Sequence, residues 1–417
     1  MQTCLLTCTE QTTQLFMVHS FSKIAWWGAP KNFKDRQNDR KIGWLELFYD
    51  LVYVAVIAQF THRLSSHPTW STVGYSFLLF SLVFWSWVNG SQYYDLHGND
   101  GIRTRFLTFW QMLAIAAVAI TIPGAFEGHH CSFAITFAIV QILITYLWWS
   151  VGLYDPNHRK YSIFYTTNYL IGFILLLASV AVSAEHATII WVVVLLLNIS
   201  PPLVGARTIV KGLREQGQEF TASASIVERF GLFTIIVLAE SILGTVAGIA
   251  EVQDKEPLVW IAFILGIFIS FLLWSLYFDL TTDEAKKGYG NMQLLIFLHF
   301  PLLFSLGMVG ACIKTLLAHM EAGSDSVVQW MLCISIATIA FTIVGLTAIM
   351  EAEGIDKLYI KPTARLLLVT GLIILITPFF TYSLGTFGFL SIISITLFIP
   401  VFIGVRTWIH YAFYADK

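Results

Sequence analysis

Stretches of about 20 apolar residues, separated by short polar segments, succeed one another from Trp44 to His410. A helix rises about 1.5 Å per residue, so about 20 such residues cross about 30 Å of hydrocarbon. The pattern therefore predicts an all-α polytopic membrane protein with twelve transmembrane helices. Their expected bounds are Trp44–Leu64, Trp70–Tyr93, Phe106–Ile122, Ser132–Leu153, Phe164–Ser183, Thr188–Val204, Ile226–Ile249, Pro257–Phe278, Met292–Ala318, Val327–Met350, Thr363–Ser383 and Phe389–His410.

Charge placement orients these spans. With residues 1–43 taken as a cytoplasmic tail, all but three of the 24 Lys and Arg residues fall on the cytoplasmic side, the exceptions being Arg63, Lys255 and Lys314. Positive charge concentrates on the cytoplasmic side of membrane proteins, so both termini are expected inside. The first 43 residues lack the features of a cleaved signal peptide. The division that follows is an N-terminal tail over 1–43, a first six-helix bundle over 44–204, a cytoplasmic connecting loop over 205–225, a second bundle over 226–410 and a tail over 411–417.

Composition agrees with this reading and narrows the partners. Hydrophobic residues make up 57% of the chain and charged residues 12%, about half the charged share of a soluble domain. A net charge of −2 carries no bias toward nucleic acid. The expected partners are membrane lipids and a small solute or ion. No metal or other cofactor is expected: the five cysteines show no ligand spacing, Glu127-Gly-His129-His130-Cys131 reads as an ordinary outer loop, and Lys314 reads as a residue reaching for the interface.

The two halves share signals in the same order. Glu46-Leu-Phe48 opens the first span and Glu228-Arg-Phe230 the seventh, while Tyr93-Tyr-Asp95-Leu96 closes the second and Tyr277-Phe-Asp279-Leu280 the eighth. Pro202-Leu-Val-Gly205-Ala-Arg207 near the end of the sixth is similar to Pro400-Val-Phe-Ile-Gly404-Val-Arg406 in the twelfth. These matches predict a six-plus-six internal repeat. With an even number of spans per unit, the copies would be parallel, related by an axis along the membrane normal.

Three segments carry a family resemblance: WLELFYDLVYVAVIAQFTHRL (Trp44 to Leu64), VERFGLFTIIVLAESILGTVAGIA (Val227 to Ala250), and YFDL (Tyr277 to Leu280) followed by LHFPLLFSLG (Leu298 to Gly307). They resemble the signatures of the bacterial low temperature requirement A family, with Ala239 where a glycine is expected before Glu240. The resemblance implies a multi-pass protein of the bacterial cytoplasmic membrane linked to growth in the cold. It implies no agreed biochemical activity.

Ionisable residues within the spans are the candidates for function, because placing charge at the bilayer centre costs about 2.5–3.5 kcal/mol on insertion scales. Glu46 and Asp50 are four apart and share a helix face, where paired carboxylates suit holding a proton or binding a cation. Glu240 lies deep in the seventh span, and Arg229, eleven residues earlier, falls about 20° off the same face. Glu228, nearer the rim, is expected to pair with Arg229. His299 stands two residues before Pro301, where a kink would expose polar backbone. Pro201-Pro202 and Pro400 read as helix breaks, Gly244 and Gly248 as a close-packing GxxxG, and the many Trp residues near span ends as interface anchors. Asp95 and Asp279 complete the transport or ion-coupling set. The leading expectation is a proton- or cation-coupled transporter of a small solute. The alternatives are an intramembrane enzyme using Glu240 or Asp50 with His299 on a lipid-like substrate, and a sensor or scaffold.

Overall fold

The computed structural model describes residues 29–31, 41–99, 101–156, 158–204, 222–282, 284–320, 325–354, 356–381 and 384–414. Among them are twelve helices long and apolar enough to cross a membrane. In chain order these are α1 (Trp44–Ser66), α2 (Trp70–His97), α3 (Ile102–Phe126), α4 (His130–Tyr154), α5 (Arg159–Ser179), α6 (Ala184–Val204), α7 (Ala224–Glu251), α8 (Pro257–Leu280), α9 (Tyr289–Ala318), α10 (Ser326–Ile349), α11 (Asp356–Ile376) and α12 (Thr386–Tyr414). A single helical turn, Pro378–Thr381, lies between the last two. The chain is a multi-pass helical membrane protein.

Several helices run past the ends that hydropathy suggests. Helix α3 begins at Ile102 and takes in Arg103 and Arg105, α5 begins at Arg159, and α12 continues to Tyr414, into the expected C-terminal tail. Backbone hydrogen bonding continues where apolar character stops: Arg105 and Arg159 are exposed and can reach water from within the helix, whereas Arg103 is buried and donates to the Tyr93 and Ser150 hydroxyls at 3.2 and 2.6 Å. Most of the N-terminal tail and residues 205–221 of the connecting loop lie outside the described residues. The helix breaks expected at Pro201-Pro202 and Pro400 are absent, since α6 runs through the first pair and α12 through the second site; α9 likewise continues through Pro301. A proline removes one backbone donor, and a packed helix with its other bonds intact tolerates that loss.

Neighbouring helices pack in a ring in each half. The first follows the order α1, α3, α4, α5, α6, α2 and back to α1, and the second α7, α9, α10, α11, α12, α8 and back to α7. The halves meet where α1 and α2 pack on α7 and α9. Across this seam Phe80 on α2 stacks on Phe300 of α9 at a ring separation of 5.9 Å, and Phe84 packs against the same ring at a tilt, at 5.4 Å. Helices α7 and α9 press closest at glycines: a Cβ on Gly310 would lie 2.7 Å from the Glu240 carbonyl oxygen, and one on Gly248 2.7 Å from that of Lys314. The GxxxG of α7 is thus a backbone-to-backbone contact.

Many aromatic residues are structural. Trp44, Trp70 and Trp408 are exposed near span ends, as anchors would be, whereas Trp87, Trp148 and Trp191 are fully buried. The expectation of interface anchoring fails for these three, which fill the bundle interior.

Candidate functional site

Glu46, Asp50, Arg229 and Glu240 gather at two levels of the seam. The first lies near the membrane face that holds Trp44. Helix α1 turns Glu46, Tyr49, Asp50 and Tyr53 inward, and α7 turns Arg229 inward to meet them. The Arg229 guanidinium donates to both oxygens of Asp50, Nε to Oδ2 at 2.9 Å and Nη2 to Oδ1 at 2.6 Å. Its third nitrogen, Nη1, lies 3.4 Å from Glu46 Oε2. The Trp87 indole N–H from α2 donates to Asp50 Oδ1 at 2.7 Å. Asp50 is fully buried and Arg229 nearly so.

Aromatic rings complete this cluster. The Arg229 guanidinium stands 5.6 Å from the Tyr49 ring centre and 5.9 Å from that of Trp87. Trp87 in turn stacks on Phe233 at 4.4 Å. The Tyr49 hydroxyl bonds to that of Tyr53 at 2.9 Å and sits where a side chain on Gly90 would be. A bidentate guanidinium–carboxylate pair, flanked by ring faces and closed off from water, is the arrangement in which buried charges are satisfied rather than exposed. It joins the two halves through a fixed geometry.

The expected pairing of Glu228 with Arg229 does not occur. Glu228 is exposed, and Arg229 reaches across to α1 instead. Neighbours in sequence point about 100° apart on a helix, so the buried one finds its partner on another helix.

The second level lies toward the other face, about 24 Å from the start of α7 by helical rise. Here Glu240 is 7% exposed and its Oε2 lies 3.0 Å from the Thr61 hydroxyl of α1. That hydroxyl is also 3.0 Å from the Ala58 carbonyl oxygen. Glu240 and Thr61 border a cavity of about 160 Å³, open on one side, with His62 and Ser65 from α1, Gly310 from α9 and Lys314 at its edge. Lys314 pairs with Glu251 at 3.3 Å. Among the described residues, the other Glu240 oxygen makes no hydrogen bond. Arg229 and Glu240 share the inward face of α7, yet belong to separate sites.

The remaining candidates stand apart. His299 is fully buried, with Nδ1 2.7 Å from the Leu295 carbonyl and Nε2 2.8 Å from the Tyr277 hydroxyl. A carbonyl only accepts, so Nδ1 carries the proton and Nε2 accepts from Tyr277. Phe230 packs on the ring at 4.5 Å. Asp95 accepts hydrogen bonds from Ser223 and Ser225, the latter at 2.7 Å, and so fastens the start of α7 to the end of α2. Asp279 accepts from Ser275, one turn earlier on α8. Sequence reasoning missed Thr61, Trp87 and the Tyr49–Tyr53 pair; these are ordinary residues for an apolar span and acquire a role only through the helix facing them.

Fold and site together define a twelve-span helical membrane protein with a buried arginine–carboxylate centre linking its first and seventh spans. The chain belongs to the bacterial low temperature requirement A protein (LtrA) family, whose profile matches residues 41–400. It is also similar to the uncharacterized protein RA0937 of Rhizobium meliloti (strain 1021), 23% identical over 283 residues that cover 65% of this chain and 68% of that one.

Proposed function

We propose that the protein is a proton- or cation-coupled carrier of a small solute, built from two parallel six-helix repeats, with both termini in the cytoplasm of a bacterial cell. The observation that carries this reading is the Glu240–Thr61 pair beside a cavity at the seam. An ionised Glu240 accepts a hydrogen bond from the Thr61 hydroxyl. A protonated Glu240 can donate to Thr61, whose own hydrogen then turns to Ala58. The pair keeps a hydrogen bond in both states, so a proton or cation can come and go without stranding a buried polar group.

The geometry of the seam supports the rest. Glu240 borders a cavity toward one face, while toward the other the Asp50–Arg229–Glu46 cluster and the stacked rings close the same seam. A carrier that is open to one side at a time needs such a closure on the other. The identical neighbour order within the two rings supports the repeat, although α9 takes a place against α1 that α3 does not take against α7. Both nitrogens of His299 are engaged, which favours a carrier over an intramembrane enzyme.

The test is purified protein in liposomes loaded with a pH-sensitive dye, challenged with a panel of small solutes and cations. A solute-driven pH change that Glu240→Gln reduces at least tenfold, with unfolding temperature unchanged, is the expected result. An equal response in the variant would remove Glu240 from the coupling step, and no response to any member of the panel would count against a coupled carrier.

A further inference from the structure

A second cavity, of about 300 Å³, lies between α8, α11 and α12 toward the Trp44 face, away from the Glu240 site. This is the lower end of the volumes that hold small ligands. Asp279 borders it, together with the aromatic residues Tyr359 and Trp408, and leucine and valine side chains from α8 and α12 supply apolar wall. The floor is tight: a Cβ on Gly404 would lie 3.2 Å from Thr363. The Tyr359 hydroxyl is engaged with the Asp279 carbonyl at 2.7 Å, which fixes α11 to the end of α8.

Asp279 differs from its counterpart in the first half. Asp95 is buried and held by two serine hydroxyls at the start of α7. Asp279 is exposed, takes one hydrogen bond from Ser275, and forms no ion pair among the described residues. A carboxylate, two aromatic residues and apolar walls at the edge of a membrane match one ligand chemistry. Carboxylate and ring faces both attract a cation, and the walls take an apolar body. The geometry points to a binding site for an ammonium group carried on an apolar molecule, with Asp279 as its counter-ion and Tyr359 and Trp408 as its aromatic contacts. The source is either an aminophospholipid headgroup from the bilayer or a free lipophilic amine.

The experiment uses the full-length, delipidated protein in an uncharged detergent. Benzyltrimethylammonium is titrated calorimetrically, beside its uncharged carbon analogue neopentylbenzene. The cation is expected to bind, with affinity falling at least tenfold in Asp279→Asn, several-fold in Trp408→Leu, and not at all in Asp254→Asn, a loop carboxylate on the opposite face. Asp279→Glu keeps the charge and should bind within a few-fold of the natural protein, which separates loss of the counter-ion from loss of fold. Equal binding of the uncharged analogue, or unchanged binding in a folded Asp279→Asn protein, would overturn the proposal. Displacement of the probe by added phosphatidylethanolamine, but not phosphatidylglycerol, identifies the lipid as the source; failure of both lipids to displace a probe that still needs Asp279 identifies a free amine. None of these readings depends on Glu240 or on transport.

Discussion

At the scale of single residues, Arg229 is the side chain with the most to lose. Its loss would leave Asp50 and Glu46 buried without a cation, and breaking a buried pair from one side costs about 3–5 kcal/mol. Arg229→Leu should therefore lower the unfolding temperature in detergent sharply. The double change Asp50→Leu with Arg229→Leu should recover part of the loss, since the fully buried Asp50 is then no longer stranded while Glu46 still lacks its guanidinium; a double variant less stable than the single one would show that the pair contributes more than mutual neutralisation. His158, in the loop between α4 and α5, gives a pH signature of its own. Burial holds its imidazole below the ordinary value, with Asp155 opposing. The unfolded chain then binds the proton more readily than the folded one, so this contribution is complete above about pH 6.5 and is lost as pH falls toward the lowered value. His158→Gln should lessen the drop in unfolding temperature between pH 7.5 and 5.5, and an identical drop in the variant would discount it. Glu46, Asp50, Arg229 and Glu240 were each legible in the sequence as ionisable groups inside apolar spans. Their partners were not: Asp50 and Arg229 are separated by 179 residues, and helical periodicity reports which face a residue occupies, not which helix that face meets.

At the scale of helices, glycine sets the distance between α7 and α9. Alanine at Gly310 would drive its Cβ into the Glu240 backbone, where no flexible side chain can yield, so Gly310→Ala should destabilise by about 1–3 kcal/mol. Gly74 on α2 has open space around it, and alanine there should be neutral or stabilise by up to about 1 kcal/mol. Thermal unfolding of the two variants side by side checks both; similar behaviour would mean that Gly310 does not set the distance between α7 and α9. The spacing of Gly244 and Gly248 announces a close approach, while the facing Gly310 gives no such signal, having only Gly307 three residues before it. The prolines mislead in the opposite direction. Pro201 and Pro400 suggest broken helices, yet each helix continues because one missing donor does not undo the surrounding packing.

At the scale of the whole molecule, span number was the most legible quantity, since length and apolar content decide it almost alone. Helix ends were less so, because hydropathy fades before the backbone hydrogen bonds do, as Arg103 and Arg159 illustrate. An even number of spans would place the termini on one side, and the orientation proposed above puts that side in the cytoplasm. Reporter fusions at both ends should be active only as cytoplasmic reporters; an external signal from either would overturn the orientation. The aromatic stack between Phe80, Phe84 and Phe300 ties the halves together in the middle of the seam, a contact that composition could suggest only as generic core.

The bond between Asp50 and Arg229 also orders events during synthesis. At roughly 5–20 residues per second, a ribosome needs about 10–35 s to add the 179 residues that separate them. For that interval the first helix waits in the membrane or its insertion machinery with two acidic groups and no guanidinium to receive them. The nascent first half must keep them wet or protonated until the seventh helix arrives, which makes the arrival of Arg229 the step that commits the chain to its final assembly.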